Sequence, residues 1–260
     1  MAPTLHTVTT GPTSLGGTAA TRIVLLHGFT QTLASWHALV PTLAAAHEVV
    51  AVDLPGHGGS SAARLDLREA AAAVAAVGGR GTYVGYSMGG RGALRLALDH
   101  PELVERLVLI GATAGIDDDA ERAARRRADE ALAASIEADG VAAFLRRWLA
   151  QPLFADLTPT ETDLAARRAN TPDGLAASLR LCGTATMDPP WWDELARLGA
   201  AGVAVQVVAG ARDEKFRALG ARLVDAIGSS ATLVVVPATG HACHLEAPGP
   251  FLKAVALDGR

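Results

Sequence analysis

A serine hydroxyl becomes a strong base or nucleophile only when a second group takes its proton and a third fixes that group's tautomer. Three residues of this chain suit those roles. Ser87 lies in Gly85-Tyr86-Ser87-Met88-Gly89, between a strand-like run (Thr82, Tyr83, Val84) and a helical pattern (Ala93, Leu94, Leu96, Ala97, Leu98). Flanking glycines permit a turn too sharp for bulky neighbours, and a serine on it has strained dihedrals. The turn also puts Ser87 at a helix N-terminus, where the dipole and free N–H groups favour developing negative charge. Asp213 follows the apolar run Val203–Val208, and His241 follows Thr232–Val236. Each stands just past a strand end, so we assign Asp213 as the acid and His241 as the base, with Glu214 and His244 as nearest competitors. Backbone N–H groups of Met88, and of Phe29 after the His27-Gly28 turn, are the expected oxyanion donors.

Arginines mark the same region. Arg91 lies one helical turn after Ser87 and so shares its face. Arg125-Arg126-Arg127 and Arg167-Arg168 follow later. Guanidinium groups suit bidentate binding of carboxylates. By pattern alone, a solvated helix with Glu121–Arg125 and Arg126–Glu130 pairs explains the later arginines better. Trp148, Phe154, Trp191 and Trp192 suit either a pocket wall or core packing. His57 reads as a structural loop residue. His241 and His244 lack the glutamate and third ligand of a zinc motif, so no metal is expected.

The elements that must position these residues alternate. Leu5–Thr9 reads as an edge strand and 11–17 as a turn. Strands are expected at Ile23–Leu26, Val49–Val52, Thr82–Tyr86, Leu107–Ile110, Val203–Val208 and Thr232–Val236. Helices are expected over 33–46, 65–77, 89–100, 191–198, 216–227 and 250–257. This alternation implies a mostly parallel, doubly wound α/β sheet. Strand, G-x-S-x-G and helix, with the chain order Ser, Asp, His, is the pattern of the α/β-hydrolase fold. Between Gly111 and Met187 the alternation stops, and helices are expected over 118–138, 140–150, 160–170 and 172–182. We read 113–187 as a helical lid inserted into a core of 1–112 and 188–260.

The chain has 260 residues, half of them hydrophobic, which is enough for one large domain with an insertion. A net charge of −4 disfavours a nucleic-acid partner. Two cysteines, Cys182 and Cys243, suggest a reducing compartment. No signal peptide is evident, and the longest apolar run, Ala70–Val77, is far short of the roughly 20 residues of a membrane span. The expectation is a cytoplasmic, membrane-free monomer or small homo-oligomer acting on a small molecule without a cofactor.

The sequence resembles the 2-succinyl-6-hydroxy-2,4-cyclohexadiene-1-carboxylate synthases, α/β-hydrolase-fold lyases of menaquinone biosynthesis. The resemblance covers about residues 22–255. It rests on Leu26-His27-Gly28-Phe29-Thr30, on Asp53 to Ser60 and on Gly85 to Arg91. More specific are Glu121 to Arg127, Trp148 with Gln151-Pro152-Leu153-Phe154, Arg168 with Asn170, Gly210 to Leu219, and Gly240 to Glu246. It implies loss of pyruvate from 2-succinyl-5-enolpyruvyl-6-hydroxy-3-cyclohexene-1-carboxylate by 2,5-elimination, with Ser87 as base. It further implies that Arg91, Arg125 and Arg168 bind substrate carboxylates and that Tyr86, Trp148 and Phe154 line the pocket, leaving Arg126 and Arg127 as surface charge. One departure is Gly111-Ala112-Thr113-Ala114-Gly115, where the family commonly has serine and proline before a glycine, which bears on the lid hinge. A serine esterase or carbon–carbon bond hydrolase acting on a carboxylate-bearing substrate is the alternative. A binding protein without turnover is a third reading, disfavoured by the complete Ser87, Asp213, His241 set.

Overall fold

The computed structural model describes residues 3–15 and 18–257. The expected turn over 11–17 therefore includes two glycines, Gly16 and Gly17, outside the described residues. The chain opens with edge strand β1 (Thr7–Thr10), then β2 (Ser14–Leu15) and β3 (Thr18–Ala19), which pair with each other. The sheet continues with β4 (Arg22–Leu26), β5 (Glu48–Val52), β6 (Gly81–Tyr86), β7 (Val104–Ile110), β8 (Ala204–Gly210) and β9 (Ala231–Val236). Its order is β1-β5-β4-β6-β7-β8-β9, parallel except for β1, which runs antiparallel to β5.

Near-continuous apolar runs are what a sheet covered on both faces requires. Alternate residues serve opposite faces. Val24, Leu26, Leu107, Leu109, Val205 and Val207 face one core with Leu94, Leu98, Leu198 and Leu223. Ile23, Leu25, Val84, Val108, Ile110 and Val208 face the other with Trp36, Leu39, Leu43, Phe251 and Val255. The helices that contribute to the two cores are α1 (Val40–Leu43), α2 (Leu67–Gly78), α3 (Met88–Asp99), and, beyond the insertion, α7 (Ala196–Ala200), α8 (Glu214–Ile227), α9 (Cys243–Glu246) and α10 (Pro248–Ala254). The helix expected over 33–46 is instead a 3-10 turn, Leu33–Trp36, followed by the one-turn α1. Pro41 allows a helix to start but denies it an earlier turn. The apolar face survives, with Trp36, Leu39 and Leu43 all buried.

The insertion between β7 and β8 contains α4 (Asp119–Leu149), α5 (Glu161–Arg168) and α6 (Pro172–Cys182). The expected helices 118–138 and 140–150 are two arms of α4, joined at Gly140 (φ 76°), a conformation glycine adopts freely. Asp118, Thr160 and Thr171 cap α4, α5 and α6 through side-chain acceptors. Ile136, Phe144 and Leu145 of α4 pack on Leu175, Ala176 and Leu179 of α6, giving the insertion its own core. Arg180 reaches from α6 to Glu130 and Glu137 of α4. These exposed pairs add little beside the apolar contact. At the hinge lacking the proline, Thr113 Oγ1 accepts from the Gly115 N–H, and the Ala114 carbonyl accepts from the Trp191 N–H at 2.7 Å. The outgoing and returning segments of the insertion are thus joined by a backbone hydrogen bond.

The switch point of a doubly wound sheet, where successive connections leave on opposite sides, is where ligands bind. Here it lies between β4 and β6. The C-terminal end of β4 leads to Phe29 and that of β6 to Ser87.

Candidate active site

Ser87 stands between β6 and α3 with φ 51° and ψ −106°, a conformation that is strained for any residue but glycine. The turn needs its glycines for space. A Cβ on Gly85 would lie 2.4 Å from the Gly89 carbonyl oxygen, and one on Gly89 would lie 2.2 Å from the Leu26 carbonyl oxygen. Both obstacles are backbone. Gly89→Ala is therefore expected to cost more than about 4 kcal/mol or to leave no folded protein, measurable by urea unfolding. A loss below about 1 kcal/mol would contradict the packing of α3 on β4.

His241 Nδ1 lies 2.7 Å from Asp213 Oδ2, and both residues are buried. A carboxylate only accepts, so Nδ1 carries the proton and Nε2 is left as an acceptor. The other oxygen, Asp213 Oδ1, accepts from the Phe216 N–H and so caps α8. Phe216 and Tyr86 pack against the imidazole, with ring centroids 4.4 and 5.3 Å away. The competitors fall elsewhere. Glu214 is exposed at the start of α8, and His244 is fully buried among Trp36, Tyr86 and Phe251. No direct hydrogen bond joins Ser87 to His241 among the described residues, but both line one cavity of about 300 Å³.

The residues that carry the two expected oxyanion donors, Phe29 and Met88, both line that cavity. The first loop satisfies its neighbouring amides internally. Gly28 N–H donates to Gln31 Oε1 (2.9 Å), Thr30 N–H to His57 Nε2 (3.3 Å) and Gln31 N–H to the Gly28 carbonyl (3.2 Å). Among the described hydrogen bonds only Phe29 of this run keeps a free N–H. Met88, the first residue of α3, keeps its own for the same reason that every helix start does. Gln31 was not legible as a site residue. It is buried, and its fixed Oε1 leaves the amide nitrogen as a further donor beside the cavity.

Arg91, Arg125 and Arg167 line the cavity. The expectation of Arg168 is corrected. Its side chain is 53% exposed and lies 3.9 Å from Glu161, whereas Arg167 is buried at 2%. Adjacent helical residues point about 100° apart, and the inward face of α5 is set by Asp163, Arg167 and, just beyond it, Asn170. Arg167 Nε donates to Asp163 (2.8 Å) and Nη1 to Thr30 Oγ1 (2.6 Å), leaving Nη2 without an acceptor among the described residues. Arg125 Nε donates to the buried Asp129 (2.8 Å). The expected Glu121–Arg125 and Arg126–Glu130 pairs do not form, since Glu130 is taken by Arg180. Arg91 Nη2 donates to the Cys182 carbonyl (2.8 Å), and its buried Nε has no partner. Burial, and then the nearby Arg125, lower the Arg91 pKa to about 10. Converging cations raise each other's energy, and an anion between them relieves it.

Aromatic side chains close the rest. Trp148 packs on Phe29 and Phe154, with centroids 5.3 and 5.6 Å away, and Phe154 reaches His241. Tyr86 lines the floor, its phenol held far from ionisation by burial. Trp191 and Trp192 do not line the cavity. They lie in the core under Arg95 and Arg222 respectively. Arg126 is largely exposed, and Arg127 is exposed.

Two buried histidines support the first loop as neutral rings. His27 Nδ1 donates to the Gly28 carbonyl and its Nε2 accepts from Leu54; His57 Nδ1 donates to the Pro55 carbonyl and its Nε2 accepts from Thr30. Burial lowers His27 to about 4, and it lowers His57 and His244 to about 3. Below about pH 6.5 the unfolded chain binds protons that the folded chain refuses, so stability falls as pH drops from about 6.5 towards 4. Each ring contributes at most about 1.4 kcal/mol per pH unit. Urea unfolding at about pH 7 and about pH 5.5 should show this loss, and equal stability would contradict the neutral, buried rings.

No group of three or more metal-ligating side chains occurs among the described residues, and none of their helices is long and apolar enough to cross a membrane. A serine on a strained strand-to-helix turn, an acid–histidine pair from later strand ends and two free amides define an α/β-hydrolase-fold enzyme. The family model described as alpha/beta hydrolase fold matches residues 21–248. A 2-succinyl-6-hydroxy-2,4-cyclohexadiene-1-carboxylate synthase from Escherichia coli O1:K1 is 31% identical over 242 residues, covering 90% of this chain and 92% of that one. The Shigella dysenteriae serotype 1 enzyme of the same name is 31% identical over 243 residues, with the same coverage. The chain belongs to the 2-succinyl-6-hydroxy-2,4-cyclohexadiene-1-carboxylate synthase family. Among solved structures, MenH from S. aureus superposes with a TM-score of 0.87 over 97% of both chains at 26% identity. The enol-lactonase from Burkholderia xenovorans LB400, at 23% identity and a TM-score of 0.77, shares the fold.

Proposed function

We propose that this enzyme eliminates pyruvate from 2-succinyl-5-enolpyruvyl-6-hydroxy-3-cyclohexene-1-carboxylate to give 2-succinyl-6-hydroxy-2,4-cyclohexadiene-1-carboxylate in menaquinone biosynthesis. The observation that carries the reading is the convergence of Arg91, Arg125 and Arg167 on the cavity that holds Ser87 and His241. The substrate carries three carboxylates, whereas a neutral ester needs no cations.

Ser87, its proton drawn to His241 Nε2, removes the proton on C2, which is acidic because it lies next to the succinyl carbonyl. The carbonyl oxygen takes up the charge and is met by the N–H groups of Phe29 and Met88. The returning electron pair forms the C2–C3 double bond. The C3–C4 double bond shifts to C4–C5, and the C5–oxygen bond breaks. Enolpyruvate leaves with its oxygen, takes a proton from His241 and ketonises to pyruvate. Asp213 holds the imidazole and stabilises its charged form. Tyr86, Trp148 and Phe154 shape the pocket and keep water out. In this reading 113–187 is a lid on a core of 1–112 and 188–260. A cytoplasmic setting fits two buried free cysteines, Cys182 and Cys243.

No water enters the products of this route, whereas an esterase or carbon–carbon bond hydrolase must add one. Turnover in oxygen-18 water should leave the cyclohexadiene product unlabelled. Incorporation of one solvent oxygen would favour the hydrolase.

A further inference from the structure

The loop that presents the Phe29 N–H is held from outside by α5. We propose that Thr30 and Asn170 are positioning residues through which the docked lid sets the oxyanion hole. The inference rests on the function proposed above.

Thr30 is fully buried with φ 69°, an outlying conformation for a β-branched residue that persists only where its surroundings over-determine it. Every polar group of Thr30 is occupied. Its N–H goes to His57, its Oγ1 accepts from Arg167 Nη1 (2.6 Å) and its carbonyl accepts from Asn170 Nδ2 (2.8 Å). Asn170 also accepts the Gly58 N–H at Oδ1 (2.9 Å). One lid side chain therefore bridges the loop after β4 and the loop after β5.

Two of the three ties on Thr30 come from the lid. If α5 lifts, Thr30 loses them and is free to relax towards negative φ. Gln31 is anchored to Gly28 by its backbone and side chain, so relaxation at Thr30 falls on Phe29 and swings its N–H. Arg167 connects this device to substrate, because Nη1 grips Thr30 while Nη2 remains for a carboxylate in the cavity. A ligand that draws Arg167 inward thereby braces the donor that stabilises the developing oxyanion. Such coupling acts on the transition state more than on ground-state binding.

The test uses Thr30→Val, which keeps shape and strain but removes the acceptor, Thr30→Ser, which keeps the acceptor, and Asn170→Ala. Two quantities are read: kcat and KM for pyruvate release, and amide exchange at Thr30, whose N–H is bonded to His57 Nε2. We expect kcat to fall ~10-fold or more in Thr30→Val and Asn170→Ala with KM within ~3-fold, while Thr30→Ser stays within ~2-fold of wild type. Exchange at this amide should accelerate ~10-fold in the same two variants. Unchanged kcat, a rise in KM alone or unchanged exchange would overturn the proposal. Exchange decides the clamp even if the wild type releases no pyruvate, and that second result would count against the function proposed above.

Discussion

Ser87→Ala is expected to abolish pyruvate release, by at least ~10³-fold in kcat, and to leave the fold intact. The two halves of this expectation come from different observations. Among the described residues the Ser87 hydroxyl has no protein hydrogen-bond partner, so removing it orphans nothing. Alanine fits the same turn, at the same φ of 51°, with no larger side chain than serine. The chemistry, in contrast, loses its base, because His241 Nε2 alone has no intermediary to the substrate proton. Circular dichroism and thermal unfolding should match wild type while the coupled pyruvate assay falls to background. A variant that keeps more than a tenth of wild-type activity would show that another group takes the proton.

Arg167→Met in an Asp163→Asn background is expected to lose about 10²-fold in kcat/KM, while Arg168→Ala stays within ~3-fold of wild type. The paired change matters. Removing Arg167 alone would strand the Asp163 carboxylate, which is only 7% exposed, and breaking a buried ion pair costs about 3–5 kcal/mol for that reason. The double substitution removes both charges of the pair, so what remains is the lost contact to substrate together with the lost tie to Thr30 Oγ1. A charge-assisted hydrogen bond is worth roughly 1.5–3 kcal/mol, which gives the expected factor. Asp163→Asn alone is the control. Equal effects of the Arg167 and Arg168 substitutions would restore Arg168 to the site and contradict the geometry of α5.

That pair of arginines shows where sequence reasoning reaches and where it stops. The strands were legible because a covered parallel sheet demands unbroken apolar runs, and the serine turn was legible because close backbone approach demands glycine at two fixed positions. Asp213 and His241 could be placed because each follows a strand end. Arg168 could not be told from Arg167, since a shift of one residue in a helix is a rotation of about 100°, and the facing surface that picks the register lies in the core. The same holds for Thr30, Gln31 and Asn170. Their roles come from contacts between segments such as Gly58 and Asn170, 112 residues apart, which leave no local pattern. The helix expected over 33–46 failed differently, because Pro41 broke the turn while its apolar spacing still looked helical.

The claim that the converging arginines serve a pyruvate-eliminating lyase is tested most directly by wild-type turnover. The enolpyruvyl substrate would be made in situ, with pyruvate followed through lactate dehydrogenase and the cyclohexadiene followed by its absorbance in the same reaction. Both should rise together, one for one, and both should vanish with Ser87→Ala. Absence of pyruvate, together with ready turnover of simple esters such as p-nitrophenyl acetate, would contradict it and make the enzyme a serine hydrolase.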